Sequence, residues 1–125
     1  MGRVRSRNSR PELCVRKIVF ALGYRYRLHA RDLPGVPDLV FRSRKRVIFV
    51  HGCFWHRHAN CALARMPKSR IDFWETKLEG NRKRDEKNRK ALSREGWKVL
   101  TIWECQLKHT ARLEGRLGRF FDAQR

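Results

Sequence analysis

Residues 51–61, HGCFWHRHANC, bring together three histidines, two cysteines and an adjacent Phe54–Trp55 pair directly after an apolar run. Cys53, His58 and Cys61 are soft and borderline ligands at C-x4-H-x2-C spacing, which lets a short loop wrap one tetrahedral zinc ion. No fourth ligand lies nearby in sequence. Cys105, in the segment Trp103-Glu104-Cys105, becomes the candidate if parallel strands carry distant residues to the same sheet edge. Four protein ligands leave no open position for substrate, so such a zinc would be structural and catalysis would lie elsewhere. The competing reading is a set of buried free thiols beside a solvated histidine.

The charge balance points to the partner. With 31 Lys and Arg against 12 Asp and Glu, the formal charge is +19, far more than solubility requires and the footprint of a polyanion binder. Nucleic acid is the first candidate and an anionic membrane surface the second. No apolar run approaches the ~20 residues of a spanning helix, so no membrane partner is expected. Four cysteines would suit two disulfides, but histidines interleaved with them suit metal better, and the expected location is the reducing cytoplasm. At 125 residues the chain has length for one core, giving a single domain over 1–125 whose first ten residues form a basic arm. That arm carries Arg3, Arg5, Arg7 and Arg10 without an acid, and reads equally as a phosphate-binding strap or a solvated tail.

The elements that must position these residues follow from periodicity. Ser9-Arg10-Pro11-Glu12 reads as a capping box opening a helix with Leu13, Cys14, Ile18, Ala21 and Leu22 on its buried face and Gly23 as its stop. Glu12 thereby has a complete structural task as the capping acid. Residues 24–29 alternate apolar and basic, as in a half-buried strand. Residues 38–41 and 46–50 read as an antiparallel hairpin, which places Asp38 and His51 at one end of it. Ser69, with Asp72 three residues on, predicts the cap of a long helix reaching Glu95, with Ile71, Trp74 and Leu78 inward and Gly80 as a weak point. On that helix Asn81, Arg84, Asp85 and Asn88 form a polar stripe that faces either solvent or the site. Residues 97–103 supply a fourth strand, parallel to 46–50 through a right-handed crossover, and Thr110 caps a last helix with Leu113, Leu117, Phe120 and Phe121 inward.

This order of elements, with Pro37-Asp38 opening the second strand, resembles the restriction-endonuclease-like core: an α/β fold with a mixed four-stranded sheet flanked by helices. The acid-x-lysine pair usual on the next strand is replaced by Phe49-Val50-His51. With HGCFWH at 51–56, Phe73-Trp74, Arg84-Asp85 and Trp103-Glu104-Cys105, the chain from about Pro11 to Leu107 is similar to the very short patch repair endonucleases, which nick DNA beside a T:G mismatch. The resemblance implies that Asp38 and the main-chain carbonyl of Val50 hold catalytic Mg2+, that His56 serves as acid/base with Asp85 orienting it and His51 beside it, and that Glu12 belongs to the active site. It further implies structural Zn2+ on Cys53, His58, Cys61 and Cys105. Phe54 and Trp55 would wedge into DNA and Met1 would intercalate. The implied partners are double-stranded DNA bearing a T:G mismatch and other mismatch-repair proteins, bound by a monomer. The alternatives are a non-catalytic zinc-stabilised DNA-binding module and a related nuclease of different DNA specificity.

Overall fold

A computed structural model describes residues 9–59 and 61–122. Met1, Arg3, Arg5 and Arg7 lie outside the described residues. The order is α1 (Arg10–Ala21), β1 (Arg27–Leu28), β2 (Leu39–Phe41), β3 (Arg46–His51), α2 (Ile71–Arg94), β4 (Lys98–Trp103) and α3 (Thr110–Asp122). The four strands form one mixed sheet in the order β1-β2-β3-β4. The first two pairings are antiparallel, and β3 runs parallel to β4 with His51 opposite Trp103.

Both faces of this sheet are covered, which is why all three residues of β2 are buried. Leu39, Phe41 and Ile48 pack with Val15 and Val19 of α1 and Leu113, Leu117 and Phe121 of α3. Val40 and Val47 point the other way, against Leu92 of α2 and Trp97. Alternation carried to the strand ends puts Asp38, Phe49 and His51 on the α2 side. The parallel β3–β4 pair delivers residue 51 and residues 103–105 to one edge, as the crossover argument expects.

Several expectations are corrected. On α1 the buried residues are Glu12, Val15 and Val19, while Leu13 and Leu22 are 45% and 39% exposed. Two apolar stripes interleave on this helix, and only contact with the sheet selects between them. The capping box forms in part: the Ser9 hydroxyl accepts from the Glu12 amide at 3.3 Å, but the Glu12 carboxylate reaches Arg16 and His29. The strand expected over 24–29 pairs only at Arg27–Leu28; Tyr24 stacks on Phe121 and Tyr26 meets Phe41 edge-on, so the alternation holds over 24–26, but it fails at Leu28, which is 39% exposed, and His29, which turns inward. Ser69 does not cap α2. The cap position is Arg70, in left-handed conformation and without a side-chain bond, and Ile71 is 47% exposed. Helix α2 runs unbroken through Gly80 for 24 residues, because Leu78 and Leu92 anchor it on both sides of that glycine.

Candidate active site and metal centre

An open cleft of about 920 Å³ lies where the β2–β3 hairpin, α1 and α2 meet, and Glu12, His29, Asp38, His51, His56 and Asp85 all line it. Asp38 sits at the mouth of β2, and its Oδ2 accepts from the Val50 amide at 2.7 Å, a bond that follows from the antiparallel register. Burial, reinforced by the nearby Glu12 carboxylate, pushes Asp38 up to about 7. A buried acid held this way is poised to exchange its proton for a cation.

His56 bonds through Nδ1 to Asp85 Oδ2 at 2.5 Å. The helix places Asp85 and the loop places His56, so the pair exists only in the folded chain. His51 stacks face to face on His56, with ring centroids 3.8 Å apart and planes within 5°. Burial drives His51 down to about 4, and the proximity of His56 acts in the same direction. His51 is therefore a neutral imidazole at neutral pH. Its Nδ1 is buried without a hydrogen-bond partner among the described residues.

Glu12 enters from α1 and is buried. Its Oε2 receives Arg16 at 2.5 Å and faces His29 Nε2 at 2.8 Å. The ligand atoms of Glu12, His29 and Asp38 lie within 4.8 Å of one another. His29 is the residue that sequence reasoning missed. It stood in a basic alternation with Arg25 and Arg27, and only the bond from its amide to the Asp38 carbonyl, 3.2 Å, brings it here. The polar stripe on α2 divides: Asp85 and Asn81 face the cleft, Arg84 is exposed, and Asn88 packs on Gly35. Gly35 has φ +77°, and a Cβ there would stand 3.0 Å from Asn88, so the loop can approach α2 only with glycine at this point.

The Cys53, His58, Cys61 and Cys105 ligand atoms also converge within 4.8 Å. His58 Nδ1 stands 3.6 Å from the Cys53 sulfur and 3.5 Å from that of Cys105. Metal–sulfur and metal–nitrogen bonds of ~2.3 and ~2.0 Å at a tetrahedral angle require an S···N edge of about 3.5 Å, so the set fits one tetrahedral ion. Stacking on Trp103, at 4.2 Å and 9°, holds the His58 ring in place. Burial pushes the Cys53 thiol up to about 12, so without a cation to favour the thiolate this sulfur keeps its proton.

Phe54 and Trp55 bulge from the loop between the two clusters. Both are half-buried and meet Trp74 edge-on at 5.6 and 5.9 Å. They are neither stranded on the surface nor sealed in the core. Phe73 beside them is 47% exposed.

The sequence profile described as DNA mismatch endonuclease Vsr matches residues 1–63. The chain is 52% identical over 122 residues to the Type II nicking enzyme V.XorIIP of Xanthomonas oryzae pv. oryzae, covering 98% of this chain and 89% of that protein. It is 43% identical to the Type II nicking enzyme V.NmeAIP of Neisseria meningitidis, over 95% and 84% of the two chains. It is 36% identical to the DNA mismatch endonuclease Vsr of Escherichia coli, over 90% and 72%.

Proposed function

The chain belongs to the Vsr family of DNA endonucleases, and from that membership we propose that it is a Mg2+-dependent enzyme that nicks one strand of duplex DNA beside a T:G mismatch, in very short patch repair. The observation that carries the reading is the joint presence in one cleft of Asp38, its carboxylate pinned by the Val50 amide, and the His56–Asp85 pair. Nicking is common to the names of several relatives, whereas mismatch action is stated for the Escherichia coli protein, and its transfer here rests on the aromatic loop.

In this reading Asp38 and the Val50 carbonyl would hold a divalent cation, which would supply charge neutralisation at the scissile phosphate and activation of water. Asp85 fixes the His56 tautomer with the proton on Nδ1, leaving Nε2 to take a proton from the attacking water or to return one to the leaving oxygen. His51, kept neutral by burial, supports the ring of His56 without adding a competing charge. Arg16 and His29 hold Glu12 at the edge of the same site. Cys53, His58, Cys61 and Cys105 hold a structural zinc that sets the shape of the loop. Phe54 and Trp55 enter the weakened step at a mispair, where unstacking costs least. Arg3, Arg5 and Arg7 of the basic arm would supply phosphate contacts and Met1 would intercalate. The whole of 1–125 acts as one domain, as a monomer in the cytoplasm; among the described residues no helix is long and apolar enough to cross a membrane.

The test is incubation with end-labelled duplexes carrying either a T:G pair or a matched T:A pair, in Mg2+ or EDTA, resolved on a denaturing gel. One nicked strand, with T:G favoured and EDTA silencing the reaction, is expected. Equal cutting of matched DNA would leave an endonuclease but remove the mismatch assignment.

A further inference from the structure

Two acids of the cleft stand on different elements, Glu12 on α1 and Asp38 just before β2. Carboxylates this close repel each other, and the Glu12 charge adds to burial in raising Asp38. A contact between the two elements must oppose that repulsion. Arg16 cannot supply it, because it donates to Glu12 from four residues further along the same helix and moves with α1. His29 can, because it holds both elements at once. Its amide donates to the Asp38 carbonyl at 3.2 Å, one step beyond the Leu28–Leu39 pair of the β1–β2 ladder. Its ring Nε2 lies 2.8 Å from Glu12 Oε2. A carboxylate that already receives Arg16 only accepts, so Nε2 carries the proton and donates. The backbone of His29 has φ +48°, in the left-handed region that side chains rarely adopt. Strain of this kind persists only where the surroundings over-determine it, and here the surroundings are the two acids.

We propose that His29 is a positioning residue that ties Glu12 on α1 to the backbone of Asp38 and so sets the spacing of the two carboxylates that face the divalent cation. The inference rests on the cation reading given above and deepens it. The ligand atoms of Glu12, His29 and Asp38 lie within 4.8 Å of one another. Opposed oxygens around one Mg2+ at ~2.1 Å stand about 4.2 Å apart, so the set is close to the span of a single coordination sphere. Acids held at that spacing in advance bind a cation more tightly than acids that must first be drawn together. The maximal rate with the site filled depends instead on groups that His29 does not touch, the His56–Asp85 pair above all. His29 reaches neither DNA nor the scissile phosphate in this scheme. It acts through Glu12.

The experiment titrates Mn2+, followed by the EPR signal of the free ion, into DNA-free protein supplied with one equivalent of Zn2+ for the thiol cluster. Single-turnover nicking of a T:G duplex is measured against Mg2+ concentration in parallel. The proteins are the parent, His29→Ala, His29→Gln, Glu12→Gln and the double variant of His29→Ala with Glu12→Gln, each with a melting curve. Residues that orient metal ligands are worth roughly 10- to 100-fold in affinity, so His29→Ala is expected to raise the Mn2+ Kd and the half-maximal Mg2+ concentration by about tenfold or more, while the rate at saturating Mg2+ falls less than about threefold. His29→Gln keeps a donor and should recover most of the affinity. In the Glu12→Gln background, His29→Ala should shift the Mn2+ Kd little further. His29→Gly, whose backbone suits the left-handed conformation, takes the place of His29→Ala if the alanine variant does not fold. An unchanged cation dependence in a folded variant lacking the ring, a fall in maximal rate alone, a glutamine variant as weak as the alanine one, or additive effects of His29→Ala and Glu12→Gln would overturn the proposal. A parent whose nicking survives EDTA would instead remove the cation reading on which it rests, so the two failures are distinguishable.

Discussion

The thiol set and the acid–imidazole cleft both draw on the loop 51–61 yet differ in almost every physical respect. The thiol set takes three of its four ligands from nine consecutive residues and reaches out once, to Cys105. Its ligand atoms are soft, and of its four residues only Cys53 is buried. The cleft takes Glu12 from α1, Asp38 and His51 from the hairpin, His56 from the loop and Asp85 from α2, and it is open to solvent on one side. A structural centre needs only to be satisfied, so local sequence can build most of it. A catalytic centre must present unsatisfied groups to a substrate, and the cost of keeping them there is spread over several elements. Shifted groups occur in both: a carboxyl raised to about 7 and an imidazole lowered to about 4 in the cleft, and the Cys53 thiol raised to about 12 in the other cluster.

Substitutions should separate the two clusters cleanly. Asp38→Ala is expected to abolish nicking, by roughly 10³-fold or more, while leaving duplex affinity nearly intact, because the basic surface supplies most of it. His56→Ala should be comparably severe and Asp85→Asn milder, since the asparagine preserves a contact to the ring. Gel-resolved nicking beside a binding titration measures both quantities, and full activity of Asp38→Ala would take the catalytic role away from the cleft.

Cys105→Ala should do the opposite. Loss of a structural metal ligand is expected to cost about 3–5 kcal/mol and to lower Tm by roughly 10–20 °C, with one equivalent of zinc in the parent by metal analysis and none retained by the variant. Asp38→Asn, by contrast, should raise the melting temperature of metal-free protein at pH 8, because it removes an acid whose ionisation the fold opposes. A parent free of zinc, or a Cys105→Ala protein as stable as the parent, would mean the thiols are simply buried.

Trp55 lies between the clusters and tests which of them it serves. Base–aromatic contact is worth ~1–3 kcal/mol, so Trp55→Ala should slow T:G nicking by about 5- to 150-fold and narrow its ratio to matched DNA. Loss of Tm without loss of selectivity would instead assign Trp55, with Phe54 and Trp74, to packing around the Cys/His loop.

The smallest expected effect is in the pH dependence that the cleft contributes. Asp38, raised in the fold from 3.8 to about 7, contributes stability that is complete at low pH and is lost as pH rises through 7. His51, lowered from 6.5 to about 4, contributes stability that is complete above 6.5 and is lost as pH falls through 4. The two slopes oppose each other over pH 4–6.5, so their sum in the parent is nearly flat. Melting curves of metal-free Asp38→Asn should expose the His51 slope, with Tm rising from pH 4 to 6.5. A slope no different from that of the parent would show that burial does not shift these groups as described.

Much of the architecture was legible in the residues themselves. The hairpin of 38–41 and 46–50, the parallel return of 97–103 and the three helices follow from periodicity, and each stands in the fold. So does the convergence of Cys105 on the loop, because a crossover through a long helix leaves little choice of edge. Where two patterns overlap, periodicity does not choose. Leu13 and Val15 are both apolar on α1, and only the position of the sheet buries the second. Arg70 in left-handed conformation opens α2 where Ser69 offered the better cap, a choice that the local sequence does not encode.

The sequence by itself therefore determined the elements, the soft-ligand loop and the polyanion partner, since spacing, composition and charge are properties of the chain. The tertiary structure decided which acids and imidazoles meet. His29 reaches Glu12 across 17 positions and Asp85 reaches His56 across 29. Asn81 meets the Trp55 carbonyl across 26. No local period relates such residues. Contacts of this kind exist only after the sheet has set the separation of α1, α2 and the loop, and burial shifts the Asp38 and His51 equilibria only once that packing has excluded water.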